Sequence, residues 1–177
     1  MARNVEIKAR VQDLPTLEAK IAALTDAPAV IIAQDDTFFD CSAGRLKLRR
    51  LSPDVGELIF YRRDDRDGPT PSFYEIAATH APDTLGDVLS AAYGEVGRVV
   101  KHRRLYLLGR SRVHVDRVQG LGDFMEIEVV LAEEEPEEAG YREARALMAA
   151  LGVTEEALVD CAYVDLLQQQ RQRIDCR

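Results

Sequence analysis

Charges recur in this chain at a spacing of two, and they are sorted by sign. Near its start Asn4, Glu6, Lys8 and Arg10 alternate with Val5, Ile7, Ala9 and Val11. Further along, Arg45, Lys47 and Arg49 alternate with Leu46 and Leu48, and Lys101 and Arg103 share a parity with Val99 and Leu105. Glu126 and Glu128 alternate with Met125, Ile127, Val129 and Leu131. Asp116 shares its parity with His114 and Arg112, and Glu75 with Phe73 and Ala77. In an extended chain, residues two apart point to the same face. Hard divalent cations take carboxylate oxygens together with phosphate, and Arg and Lys grip phosphate directly. Rows of Glu beside rows of Arg and Lys therefore suit a metal–polyphosphate complex.

For any one strand alone, the commoner explanation is a wet sheet face with modest cross-strand ion pairs. That explanation weakens when five or six strands repeat the pattern with Arg and Lys only, or Glu only. The sharper reading is a closed barrel with its charged face turned inward. A barrel of about eight strands holds its own side chains or one small ligand. Charge in such a place is costly unless a ligand or ions satisfy it.

The elements that position these residues follow from periodicity and punctuation. A strand from Asn4 to Val11 precedes a helix with Asp13 as N-cap, Pro15 in its first turn, and Leu14, Leu17, Ile21 and Leu24 at helical spacing. Val30 to Phe39 reads as a strand, with Asp35-Asp36 as the one place where it could break. Gly44 opens a hairpin of strands Arg45 to Arg49 and Glu57 to Arg63, and Asp64 to Pro71 is an acidic loop. Ser72 to Thr79 is a strand, followed by a helix from about Asp83 to Tyr93 that Gly94 closes. Strands Arg98 to Leu108, Arg112 to Val118 and Asp123 to Leu131 follow, joined by glycine turns. A helix from about Glu138 to Leu151 ends at Gly152, and a last helical region begins near Thr154. Hairpin order implies an antiparallel meander, as an open sheet or a closed barrel.

Composition narrows the partners. The 177 residues are 46% hydrophobic and carry a net charge of -8, which argues against a general nucleic-acid binder. Of 23 basic residues only Lys8, Lys20, Lys47 and Lys101 are lysine. No apolar run is long enough to span a bilayer, no signal-peptide h-region is present, and Cys41, Cys161 and Cys176 form no CxxC pair. The expectation is one cytoplasmic domain over 1–177, with a barrel over about 3–132 and a C-terminal helical segment over about 137–172.

The run Val5-Glu6-Ile7-Lys8-Ala9-Arg10-Val11 resembles the signature strand of the CYTH, or triphosphate tunnel metalloenzyme, superfamily, whose usual form is Glu-x-Glu-x-Lys. Lys101 to Tyr106 and Val115 to Glu126 resemble its class IV adenylyl cyclase branch. The resemblance implies an α+β fold built on a closed eight-stranded antiparallel tunnel with flanking helices, binding a nucleoside or other triphosphate with Mg²⁺ or Mn²⁺. It implies Glu6, Glu126 and Glu128 as metal ligands. It also implies Lys8, Arg49, Arg62, Lys101 and Arg103 as phosphate ligands, Asp116 and Lys8 in catalysis, and a homodimer. Glu75, Lys47 and Arg45 are expected in the tunnel wall. Asn4 stands where the family usually has its first Glu, which removes one negative charge from the expected metal site. His114 and Tyr163 read as lining or hydrogen-bonded packing. Three functions stay open: conversion of ATP to cyclic AMP and pyrophosphate, hydrolysis of inorganic, thiamine or nucleoside triphosphate, and binding without turnover.

Overall fold

A computed structural model describes residues 2–63 and 68–175. The elements are β1 (Ala2–Arg10), α1 (Leu14–Ala22), β2 (Val30–Phe39), β3 (Arg45–Ser52), β4 (Val55–Arg63), β5 (Thr70–Thr79), α2 (Pro82–Tyr93), β6 (Glu95–Leu108), β7 (Ser111–Val118), β8 (Gly122–Val130), α3 (Glu137–Leu151) and α4 (Tyr163–Asp175). The eight strands close into a barrel in the order β1-β5-β4-β3-β2-β6-β7-β8. All neighbours are antiparallel, and β1 closes the ring between β5 and β8. The fold is thus the expected α+β closed barrel with flanking helices. Its order is two meanders, β2 to β5 and β6 to β8, with β1 inserted where they meet.

Strand alternation turns the usual barrel inside out. The apolar residues of β1, β7 and β8 (Val5, Ile7, Val113, Val115, Met125, Ile127, Val129 among them) face outward and pack against Leu17 and Ile21 of α1 and Ala144, Met148 and Leu151 of α3. Fully burying one such side chain stabilises by about 1.5–3 kcal/mol. A smaller cluster of Phe39, Leu48 and Leu89 seats α2 on β2 and β3. The main apolar core therefore lies between barrel wall and helices, which leaves the lumen to polar side chains. Asp13 caps α1 as its sequence suggests, accepting from the Thr16 N–H at 3.1 Å. Gly140 lets α3 lie against β1, since a Cβ there would stand 2.7 Å from Val5 Cγ2.

Three sequence expectations change. β2 runs unbroken through Asp35 and Asp36, because each carboxylate has a cationic partner on its own side of the wall: Arg98 for Asp35, and Lys47 with Arg49 for Asp36. The helical region that begins near Thr154 is a single short turn and not a continuous helix. A 3-10 turn at Glu155–Ala157 leads into an extended stretch, where the Val159 N–H donates to the Lys8 carbonyl and Leu158 bridges Ala9. Helix resumes at Tyr163 once the chain has crossed the barrel end. β5 begins at Thr70, two residues before the expected Ser72. Loop residues 64–67 and Cys176 lie outside the described residues.

Candidate functional site in the barrel lumen

One cavity of about 300 Å³ runs into the barrel. Among the described residues, eight Lys and Arg side chains line it (Lys8, Arg45, Lys47, Arg49, Arg63, Lys101, Arg103 and Arg112) against four carboxylates (Glu6, Asp36, Glu126 and Glu128). A chain of net charge -8 has thus gathered excess positive charge in its interior. Low dielectric inside a wall of protein strengthens the attraction such a group of charges exerts on an anion.

Two buried aspartates fix the cations in place. Asp36 on β2 accepts from Lys47 Nζ at 2.8 Å and from Arg49 Nε and Nη2 at 2.8 and 2.9 Å. Burial alone would raise the pKa of Asp36; Lys47 and Arg49 outweigh it and hold the carboxyl well below the usual range. Burial lowers Lys47 to about 8 despite that partner. Asp116 on β7 is fully buried and accepts from Lys101 at 2.7 Å, from Arg103 at 2.7 and 2.6 Å, and from the Tyr163 hydroxyl at 3.1 Å. Tyr163 also presents its ring to Lys8 and Lys101, whose ammonium nitrogens lie 4.4 and 4.8 Å from its centroid. With Phe38, Val99, Val118 and Phe124 it closes one end of the barrel. Lys8 donates to the Cys161 carbonyl at 2.9 Å, so the extended segment before α4 forms the floor.

The carboxylates gather on β1 and β8, where Lys8 faces Glu126 and Glu6 faces Glu128 across the ladder. Arg103 donates to Glu126, and Lys8 lies 3.7 Å from it. Burial would raise Glu126; Arg103 and Lys101 hold it well below the ordinary range. Glu6 goes the other way. Burial, with Glu128 and Glu126 nearby, pushes it up to about 7, against the pull of Arg63, whose Nε lies 3.0 Å away. Ligand atoms of His114, Glu126 and Glu128 lie within 4.8 Å of one another. Two carboxylates and an imidazole this close together, with Glu6 facing Glu128 on the neighbouring strand, fit a divalent cation.

Four buried polar atoms of lumen residues have no hydrogen-bond partner among the described residues, namely Asn4 Oδ1, Gln34 Oε1, Arg63 Nη2 and His114 Nδ1, while Arg63 Nε has its ion-pair contact with Glu6 in place of a hydrogen bond. Such groups cost free energy unless something meets them, and their concentration in one cavity marks it as a binding site.

The structure brings together Glu6, Lys8, Arg45, Lys47, Arg49, Lys101, Arg103, Glu126 and Glu128 in the lumen, with Asp116 buried behind Lys101 and Arg103. Two expectations are corrected. Arg62 is exposed on the outer face of β4, and its neighbour Arg63 points inward. Glu75 is exposed on the outer face of β5, where Tyr74 and Ile76 are the lumen residues. In both cases pleat parity decides, since Tyr61 pairs with Tyr74 inside while Phe60 pairs with Glu75 outside. Sequence reasoning missed Asp36, Tyr61, Arg63, Tyr74 and the inward aim of Gln34. Parity counted back from the cross-strand partners of Arg45 and Lys47 would have found Tyr61 and Arg63.

Similarity to known proteins agrees with this architecture. The chain is 26% identical over 178 residues to the adenylate cyclase CyaB of Aeromonas hydrophila, an alignment covering 94% of this chain and 89% of that one. The structure of the PH1012 protein from Pyrococcus horikoshii superposes with a TM-score of 0.81 at 24% identity, over 92% of this chain and 98% of that one. HpAC1 from Hippeastrum, a cyclase candidate with a dominant triphosphatase activity, superposes with a TM-score of 0.63 at 14% identity, over 96% of each chain. The CYTH domain model matches residues 2–163, and the chain belongs to the CYTH domain family.

Proposed function

We propose that this protein is a divalent-metal-dependent enzyme that binds a triphosphate in the barrel lumen and converts ATP to cyclic AMP and pyrophosphate. The observation that carries the reading is the crowd of cations, eight against four carboxylates, enclosed in one cavity beside a cluster of acids. Phosphoryl transfer asks for positioning and charge neutralisation more than for a covalent nucleophile.

Lys47, Arg49, Arg63, Lys101 and Arg103 grip the phosphates from three sides of the wall. Asp36 holds Lys47 and Arg49 in one geometry, Asp116 holds Lys101 and Arg103, and Glu6 pairs with Arg63, so little ordering is left to do when ligand arrives. Asp116 has its oxygens occupied by Lys101, Arg103 and Tyr163, which suits it to positioning rather than proton abstraction. Lys8, between Glu126 and the Tyr163 ring, stabilises charge at the reacting phosphate. Glu126, Glu128 and Glu6 hold the metal. The bound metal supplies Lewis-acid polarisation of a phosphate oxygen. In the cyclase reaction the ribose 3′-hydroxyl oxygen bonds to the α-phosphorus and releases its proton to solvent water, the bond from the α-phosphorus to the bridging oxygen of the β-phosphate breaks, and that oxygen leaves with pyrophosphate.

A second reading, hydrolysis of the terminal phosphate by water, draws on the triphosphatase activity of the Hippeastrum relative. One assay separates the readings. The protein is incubated with ATP, and separately with inorganic triphosphate, in Mg²⁺ or Mn²⁺. Cyclic AMP with pyrophosphate is the expected outcome. Orthophosphate from either substrate replaces the cyclase with a hydrolase, and binding without product overturns the enzymatic reading.

A further inference from the structure

The imidazole of His114 is the one neutral nitrogen donor set among the carboxylates of the lumen. It is 4% exposed, and its Nδ1 has no hydrogen-bond partner among the described residues. That nitrogen lies 3.6 Å from a Glu126 oxygen and 3.5 Å from a Glu128 oxygen, beyond the roughly 2.7–3.2 Å of a well-formed N–H···O hydrogen bond. The separations suit a different link. Ligand atoms about 2.0–2.2 Å from a shared metal stand roughly 2.8–3.6 Å apart, from octahedral to tetrahedral geometry, so the observed separations lie at the open end of that range. His114 faces Glu126 directly across the β7–β8 ladder, so the backbone itself sets the imidazole over the acids. On the next strand Asn4 contributes an amide where a carboxylate would have added charge.

Resting on the metal reading above, we infer that His114 Nδ1 is a direct metal ligand, which makes the site a mixed nitrogen–oxygen one that binds Mn²⁺ or another first-row transition metal in preference to Mg²⁺. Mg²⁺ demands oxygen ligands in near-octahedral array and parts reluctantly with its waters. Imidazole favours transition metals, whose affinity for nitrogen exceeds that of alkaline-earth cations. The swap also lowers the negative charge of the site, which leaves less repulsion for an incoming polyanion.

The test reads the metal rather than turnover. The full-length protein is titrated with Mn²⁺ alone, and electron spin-echo spectroscopy of the bound ion looks for coupling to a directly bonded nitrogen. The other two histidines, His80 and His102, are exposed, and neither lines the lumen. Protein labelled with ¹⁵N-histidine should convert the coupling from the ¹⁴N to the ¹⁵N pattern, with no substitution needed. His114→Gln should abolish the coupling and weaken Mn²⁺ by at least about tenfold, the least that loss of even an outer-shell partner costs, while Mg²⁺ affinity changes little. Mn²⁺ bound with no nitrogen coupling in the wild type overturns the His114 assignment and leaves the carboxylate site standing. No Mn²⁺ bound at all, by calorimetry, overturns both.

Discussion

Asp36 anchors two of the lumen's cations, although nothing in the sequence pointed to it. It is 2% exposed and is the shared acceptor for Lys47 and Arg49. Asp36→Asn keeps the shape and removes the charge, leaving two cations buried without their counterion. Breaking a buried pair from one side costs about 3–5 kcal/mol, so chemical denaturation should show a loss of that order. A loss below a tenth of that would mean the cations relax to solvent and the lumen is wetter than its geometry implies. Glu126→Gln should abolish metal-dependent product formation while leaving the fold intact by circular dichroism; wild-type rates would remove Glu126 from the metal set. Asp36 was hidden because Asp35-Asp36 looks like a strand breaker, and because an acid facing inward is legible only once its cationic partners are placed. Glu6, Lys8, Lys101, Arg103 and Glu126 were legible for the opposite reason: each sits mid-strand, where parity is unambiguous. Arg62 and Arg63 sit at the end of β4, beside an acidic loop, where one residue of uncertainty inverts the face.

The helices matter because they let the apolar core sit outside the barrel. α3 approaches β1 through Gly140, and adding a methyl there gains about 0.8–1.0 kcal/mol of helix propensity but overpacks the contact with Val5 and Leu131 at a cost of about 1–3 kcal/mol. With a Cβ at 2.7 and 2.9 Å from those side chains, the clash wins. Gly140→Ala should lower the denaturation midpoint, and an unchanged or higher midpoint would show that α3 can slide along the wall. Element types and most boundaries could be read from periodicity and caps, as with Asp13 at α1 and Gly152 after α3. The floor could not. Leu158 and Val159 touch β1 through a single bridge and one backbone bond, with no periodic run to announce an extended segment.

Across the whole molecule, the net charge of -8 and the cationic lumen pull in opposite directions. The outer surface repels polyanions at long range, so capture depends on the charge state inside. Lys47 has its pKa lowered by burial from 10.5 to about 8. Its charged form is therefore disfavoured in the fold: a stability penalty holds below about pH 8 and is relieved as pH rises toward 10.5. Ligand binding runs the other way. Triphosphate affinity should fall as pH rises through about 8, with proton uptake on binding in calorimetry, and the fall should be shallower in Lys47→Arg, whose guanidinium keeps its charge. A flat profile in the wild type would mean that Lys47 stays protonated and that Asp36 outweighs burial. No helix among the described residues is long and apolar enough to cross a membrane.

Lys8 meets the Cys161 carbonyl across 153 positions of sequence. β1, the earliest barrel strand in sequence, must wait for β5, then for β8, and finally for the floor segment before its inward residues have their neighbours. Closing contacts so remote makes assembly slow, because loop entropy is spent before pairing rewards it. The lumen is consequently complete only when the barrel and its floor are, and occupancy by a polyanion reports a closed barrel, not merely a folded sheet.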